Sequence, residues 1–93
     1  MTITYTDDFN TELNEIIEFI ANDSVERALE FRDELLDKTD KIYPMSYRFR
    51  KNQKFNVENI RDLIFKGYTV PFEIYDDRIE ILGIFKENLH KLR

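Results

Sequence analysis

The chain has no cysteine and no tryptophan, and only two glycines, two prolines and one histidine in 93 residues. Without cysteine there is no disulfide framework, no thiolate zinc site and no thiol redox chemistry. A single histidine also falls short of most zinc and transition-metal ligand sets, and no DxDxDG loop is present for calcium. Gly67 and Gly83 stand alone, so Walker A, GxGxxG and GxSxG signatures are all absent. No apolar run approaches the roughly 20 residues of a membrane span. The opening MTITYTDDF has neither the basic nor the apolar region of a secretory signal. The expectation is one cytoplasmic domain over residues 1–93, away from membranes and with no cofactor requirement.

What is present is enough for a core. Apolar residues make up 42% of the chain and aromatics 14%, which sets it apart from disordered sequences despite 35% charged residues. The net charge of −5 hides a division. Residues 1–40 hold twelve acids and three bases, whereas residues 41–93 hold seven acids and eleven bases. Such a split marks two faces with different partners. Cations are densest in Tyr47-Arg48-Phe49-Arg50-Lys51-Asn52-Gln53-Lys54, where Arg48, Arg50, Lys51 and Lys54 interleave with two aromatics. That composition suits phosphates or an acidic protein segment, or else a solvated loop or strand edge carrying protective cations.

The hydrophobic pattern predicts an α+β fold of order βααβββ, a helical hairpin on a small, mostly antiparallel sheet. Ile3 and Tyr5 alternate with threonines as a short strand, and Thr6 is placed to cap a helix whose first turn holds Asp7 and Asp8. Phe9, Leu13, Ile16, Ile17 and Ile20 form its apolar stripe, with Glu12, Glu15 and Glu18 off it. After the connector Asn22-Asp23-Ser24, Ser24 caps a second helix with the stripe Val25, Ala28, Leu29, Leu35, Leu36 and Ile42, interrupted at Arg32 and Thr39. Pro44 should stop it by Tyr43. Then come three strands: Ile60 to Phe65, ended by Lys66-Gly67; Tyr68, Val70, Phe72 and Ile74; and, after Asp76-Asp77-Arg78, Ile79 to Phe85. Pro71 cannot donate to a ladder, so it should mark a bulge or an amide position facing solvent.

Taken alone, the residues support little catalysis. A Ser-His-Asp triad would have to recruit Ser24 or Ser46 with His90, without any spacing to support it. Metal-free acid–base chemistry on RNA remains open, since Arg61, Lys66, Tyr68, Lys86 and His90 are the residue types it uses. His90 reads as a solvated tail residue sooner than a catalyst, and Tyr68 as core, because it starts an apolar alternation.

At this point the chain resembles the RelE/ParE superfamily, the toxins of bacterial type II toxin–antitoxin pairs, nearly end to end. Ile3-Thr4-Tyr5-Thr6 with Phe9 resembles the opening strand and helix of that family. Ile17 to Ile20, Ser24, Ala28, Phe31, Leu35 and Pro44 resemble its helical hairpin. Arg61-Asp62-Leu63, Gly67-Tyr68-Thr69-Val70-Pro71-Phe72-Glu73-Ile74 and Ile79-Glu80-Ile81-Leu82-Gly83-Ile84-Phe85-Lys86 resemble its last strands. Ribonuclease members usually carry an arginine directly after the tyrosine, where this chain has Thr69, and many place histidine where it has Lys86. A lysine near its ordinary pKa of about 10.4 stays protonated and can act only as an acid or charge clamp. Arg61 matches the arginine of the family's preceding strand.

The resemblance therefore implies two alternatives and a third. One is a ParE-like toxin, close to plasmid-stabilisation members, that inhibits DNA gyrase by binding, with Arg48, Arg50, Lys51, Lys54 and Arg61 as partner-binding residues. Another is a RelE-like, metal-free endoribonuclease cutting mRNA on the ribosome, with Arg61, Lys86 and His90 as candidate catalysts. The third is an inactive relative kept as a binding module. The missing arginine and the acidic total lean toward the first. All three imply a cognate antitoxin, in a hetero-oligomer, as partner.

Overall fold

The computed structural model of the protein describes residues 1–86. A first strand, β1 (Thr2–Tyr5), leads into two helices, α1 (Asp7–Ala21) and α2 (Val25–Asp40). A single 3-10 turn (Ser46–Arg48) follows, then β2 (Arg50–Lys51), β3 (Ile60–Phe65), β4 (Tyr68–Ile74), β5 (Arg78–Ile81) and β6 (Phe85–Lys86). The strands form one sheet of order β1-β5-β4-β3-β2, with β6 also paired to β4. All pairings are antiparallel except β1 with β5. The fold is α+β, with the helical hairpin on one face of the sheet. No helix among the described residues is long and apolar enough to cross a membrane.

Local chemistry sets the helix boundaries. Thr6 accepts the amide of Phe9 at 3.0 Å and Ser24 that of Arg27 at 3.1 Å, the two caps the sequence predicts. The stripe of α1 packs as expected, with Phe9 and Leu13 buried and Ile16, Ile17 and Ile20 against the core. The stripe of α2 differs from expectation. Ala28, Leu35 and Ile42 are buried as expected, but Val25 and Leu29 are exposed, and Phe31 and Thr39 join Ala28 and Leu35 on the inner line. Spacings of 3, 4 and 4 keep these four on one line of the helix. Thr39 is tolerated there because the Tyr5 hydroxyl donates to its Oγ1, which in turn donates to the Leu36 carbonyl, both at 2.9 Å.

The expected last strand over residues 79–85 is divided in two, and Pro71 is the reason. The carbonyl of Pro71 accepts the amide of Leu82 at 2.8 Å, so its nitrogen, which carries no hydrogen, also faces β5. Phe72 pairs with Ile81 and Thr69 with Phe85, so Val70 and Pro71 oppose three residues, Leu82, Gly83 and Ile84. That is a bulge, as a proline in a central strand requires. The groups it frees find partners on the first helix and its cap: Thr6 Oγ1 donates to the Leu82 carbonyl, and Glu12 Oε1 accepts the Ile84 amide, each at 2.9 Å. Glu12, off the apolar stripe of α1, is therefore a structural acceptor.

β3 and β4 are joined by Lys66-Gly67, both at positive φ (49° and 86°), the two-residue turn that matches strand twist. Side chains of β4 alternate, with Tyr68, Val70, Phe72 and Ile74 toward the helices and Thr69, Pro71 and Glu73 toward the open face. On β3, Arg61, Leu63 and Phe65 face the helices, and Ile60, Asp62 and Ile64 face away.

Candidate interaction surface

Arg61 lies on the helix side of β3, opposite Phe72. The segment after α2 covers it, and the residue is 9% exposed. Its Nε donates to the Glu58 carbonyl at 2.9 Å, and Nη1 to the carbonyls of Tyr47 (3.2 Å) and Phe49 (3.0 Å). Nη2 meets Glu58 Oε2 at 2.7 Å, and the guanidinium sits 5.0 Å from the centre of the Tyr47 ring. The rigid fork of arginine matches this set, which one ammonium could not satisfy. Arg61 thus anchors the segment 47–58 onto the sheet, and a ligand reaching it would have to displace those bonds.

On the other face Asp62, 4% exposed, is the centre of a second polar cluster. It accepts from Asn52 Nδ2 at 2.8 Å and from Arg50 Nε at 3.2 Å. Asn52 Oδ1 accepts the Phe55 amide at 2.9 Å, which folds the loop after β2 back over the sheet. Asp62 and Asn52 were not singled out as site residues from sequence, although an acid inside the run Ile60 to Phe65 was a usable signal: a buried carboxylate must have partners.

The basic segment is accordingly part edge strand and part corner. Arg50 pairs with Asp62, and Lys51 Nζ lies 3.8 Å from Glu58. Arg48 and Lys54 make no ion pair among the described residues, and both are exposed. A groove of about 390 Å³ opens between Lys41, Met45, Arg48 and Phe49. Its floor is fixed, because the Phe49 ring packs edge-on against the fully buried Phe72 at 5.4 Å.

The position where ribonuclease relatives carry arginine is occupied by Thr69, on the open face and only 2% exposed. Its register neighbours are Ile64 on β3 and Phe85 on β6, each about half exposed. Lys86 faces the helix side opposite Tyr68, its Nζ 5.1 Å from the ring centre, and Tyr68 in turn packs edge-on against Phe31 at 5.6 Å. Arg61 and Lys86 are on β3 and β6, opposite Phe72 and Tyr68 respectively, so they sit at different heights along β4. His90 lies outside the described residues. Among those described, no three His, Asp or Glu side chains gather as a metal site.

Comparison with known proteins agrees with this architecture. The fold is similar to a chain of the chromosomal ParDE toxin–antitoxin system from P. aeruginosa, at TM-score 0.75 and 18% identity, over 95% of this chain and 97% of that one. It is also similar to a conserved hypothetical protein from Helicobacter pylori, at TM-score 0.57 and 12% identity, over 92% and 93% of the two chains. No curated protein matches the sequence. The family described as the ParE toxin of the type II toxin–antitoxin system parDE matches residues 3–88. With almost its whole length inside that match, the chain belongs to the ParE toxin family of type II toxin–antitoxin systems.

Proposed function

We propose that this ParE-family toxin inhibits DNA gyrase by binding it, without catalysis of its own, and that a cognate antitoxin neutralises it. The observation that carries the reading is the setting of Thr69. Cleaving a phosphodiester without metal needs charge placed against the scissile phosphate, and at this position the chain has a buried neutral side chain flanked by Ile64 and Phe85. Arg61, the candidate cation of β3, donates to Tyr47, Phe49 and Glu58. What the surface offers a partner is exposed apolar area and cations, the materials of a binding interface.

A second reading, a ribosome-dependent mRNA endoribonuclease, is favoured by one feature. Lys86 is exposed beside Tyr68, a cation next to a phenol at the edge of the sheet. In that role Lys86 would donate a proton or hold charge, with Arg61 and His90 as its partners.

The deciding experiment is tight induction without antitoxin, with DNA and protein synthesis pulse-labelled together. Early failure of DNA synthesis supports gyrase as the target, to be followed by supercoiling assays with purified gyrase. Early failure of protein synthesis replaces it with the ribonuclease. Continued synthesis of both, with soluble protein accumulating, removes the toxic activity itself.

A further inference from the structure

The distribution of charge and exposed apolar area singles out one stretch of the chain. Residues 41–57 contain five cations, Lys41, Arg48, Arg50, Lys51 and Lys54, and no acid. The same stretch carries Tyr43, Met45, Tyr47, Phe55 and Val57, each at least 44% exposed. Elsewhere the surface is dominated by the acids of the two helices. A cationic, apolar and solvent-facing segment on an acidic protein is a recognition surface, and its structure indicates what it recognises.

Three of the five cations are already paired. Lys41 meets Asp37 at 2.8 Å, Arg50 meets Asp62 and Lys51 approaches Glu58. That leaves Arg48 and Lys54, too few for a row of phosphates, whose affinity grows with the number of charges neutralised. What Arg48 borders is the groove whose other walls are Lys41, Met45 and Phe49. Methionine adapts its shape to a varied apolar side chain, and Phe49 is rooted in the core. The walls are also held before any ligand arrives: the Arg48 amide donates to the Met45 carbonyl at 3.0 Å, and Arg61 holds the Phe49 carbonyl from below. A preformed groove spares the ligand most of the cost of ordering it.

We infer that the corner of Lys41, Met45, Arg48 and Phe49 docks an acidic peptide segment, one apolar side chain seated on Met45 and Phe49 and a carboxylate against Arg48. The partner that brings the segment is the antitoxin, and that assignment rests on the reading of the preceding subsection. Arg61 acts here as a positioning residue, because it shapes the corner without lining it.

The test uses the purified protein and fluorescence anisotropy with three probes. They are a short fluorescein-labelled peptide with one leucine among glutamates, the same peptide with serine for leucine, and an oligouridylate of equal charge. The leucine peptide should bind at low salt and weaken as salt rises. Serine in place of leucine should weaken it about tenfold, the scale of one buried apolar side chain. Arg48→Glu should weaken it by about tenfold as well. Met45→Ser should abolish the preference for leucine over serine. Both substituted residues are exposed, and circular dichroism verifies that each variant keeps its fold; Arg48→Gln provides a milder second variant. No binding of the leucine peptide at low salt, equal binding of both peptides, or indifference to Arg48→Glu overturns the inference. Tighter binding of the oligouridylate overturns it in favour of nucleic acid. Peptide binding that persists in a protein causing no arrest in cells would remove the toxic activity and leave the docking corner standing.

Discussion

Glu12 and Ile84 are 72 residues apart in sequence, yet the carboxylate of the first accepts the backbone amide of the second at 2.9 Å. A Cβ added to Gly83 would come within 2.8 Å of the same Glu12 oxygen. The bulge opposite Pro71, the glycine inside it and the carboxylate on α1 are therefore one device. Glu12→Ala leaves a buried amide unpaired and should cost about 1–3 kcal/mol. Gly83→Ala should cost a similar amount by forcing the carboxylate off the amide, while Glu12→Gln should recover most of the loss. The double variant Glu12→Ala with Gly83→Ala should lose no more than either single one. Additive losses in urea unfolding would show that the two sites are independent.

Arg61 is predicted to govern stability before anything else. Arg61→Ala leaves the carbonyls of Tyr47, Phe49 and Glu58 without their donor and should cost roughly 2–3 kcal/mol. Arg61→Lys should recover little of this, since the fork is what meets all three. Denaturant midpoints check both. A stable Arg61→Ala protein that has lost growth arrest would instead mark the arginine as a direct participant in toxicity.

Charge reversal of the basic segment should weaken antitoxin binding in a salt-dependent way, but its members are not equivalent. Arg50→Glu would set a second carboxylate against the buried Asp62 and should destabilise the fold. Arg48→Glu with Lys54→Glu removes two cations that have no ion pair among the described residues, and should weaken binding while leaving the thermal midpoint within a few degrees. Calorimetric titration with antitoxin at two salt concentrations separates the cases; unchanged affinity at low salt for the second pair would exclude the segment from the interface.

If arrest comes from binding, Lys86→Ala and His90→Ala should each keep it within about twofold, because removing a catalyst costs orders of magnitude and removing a contact does not. The measurement is the induction level needed to stop DNA synthesis, at matched protein levels.

Tyr75 offers a pH probe. Its hydroxyl is held above the ordinary tyrosine value, first by hydrogen bonding to the Glu73 carboxylate, then by desolvation and by the charges of Glu73 and Glu80, with Arg78 opposing. A raised folded-state value means that the protonated phenol is favoured in the fold. Its contribution is complete below the unfolded value of about 10 and is lost as pH rises through the folded one. Glu73→Gln should lower the titration of Tyr75 toward about 10, read by NMR of ring-labelled tyrosine. No change would assign the shift to desolvation and the Glu80 charge.

Much of this architecture is written locally. Thr6 and Ser24 as caps, the stripe of α1, the alternation from Tyr68 to Ile74 and the irregularity at Pro71 all follow from neighbours in sequence. What escaped is set by distant partners. Thr39 can be buried only because Tyr5 supplies a hydroxyl, and Val25 and Leu29 are outside because Phe31 takes the inner line. Arg61 was recognisable as an unusual strand residue, but its inward commitment depends on carbonyls of residues 47 and 49 that no local pattern brings to it. β2 is two residues long, too short for periodicity to register.

The parallel pairing of β1 with β5 has a consequence for biosynthesis. Thr2 meets Arg78 and Tyr5 meets Ile81, so β1 pairs with a strand synthesised some 76 residues after it. At translation rates of about 5–20 residues per second, some 4–15 s separate the synthesis of the two partners. Through that interval Thr2–Tyr5 has no neighbour and β4 lacks the strand that flanks Phe72 to Ile74. A nascent chain stopped short of residue 78 cannot close this sheet, so the pairing that completes it forms only after both helices and the intervening strands have been made.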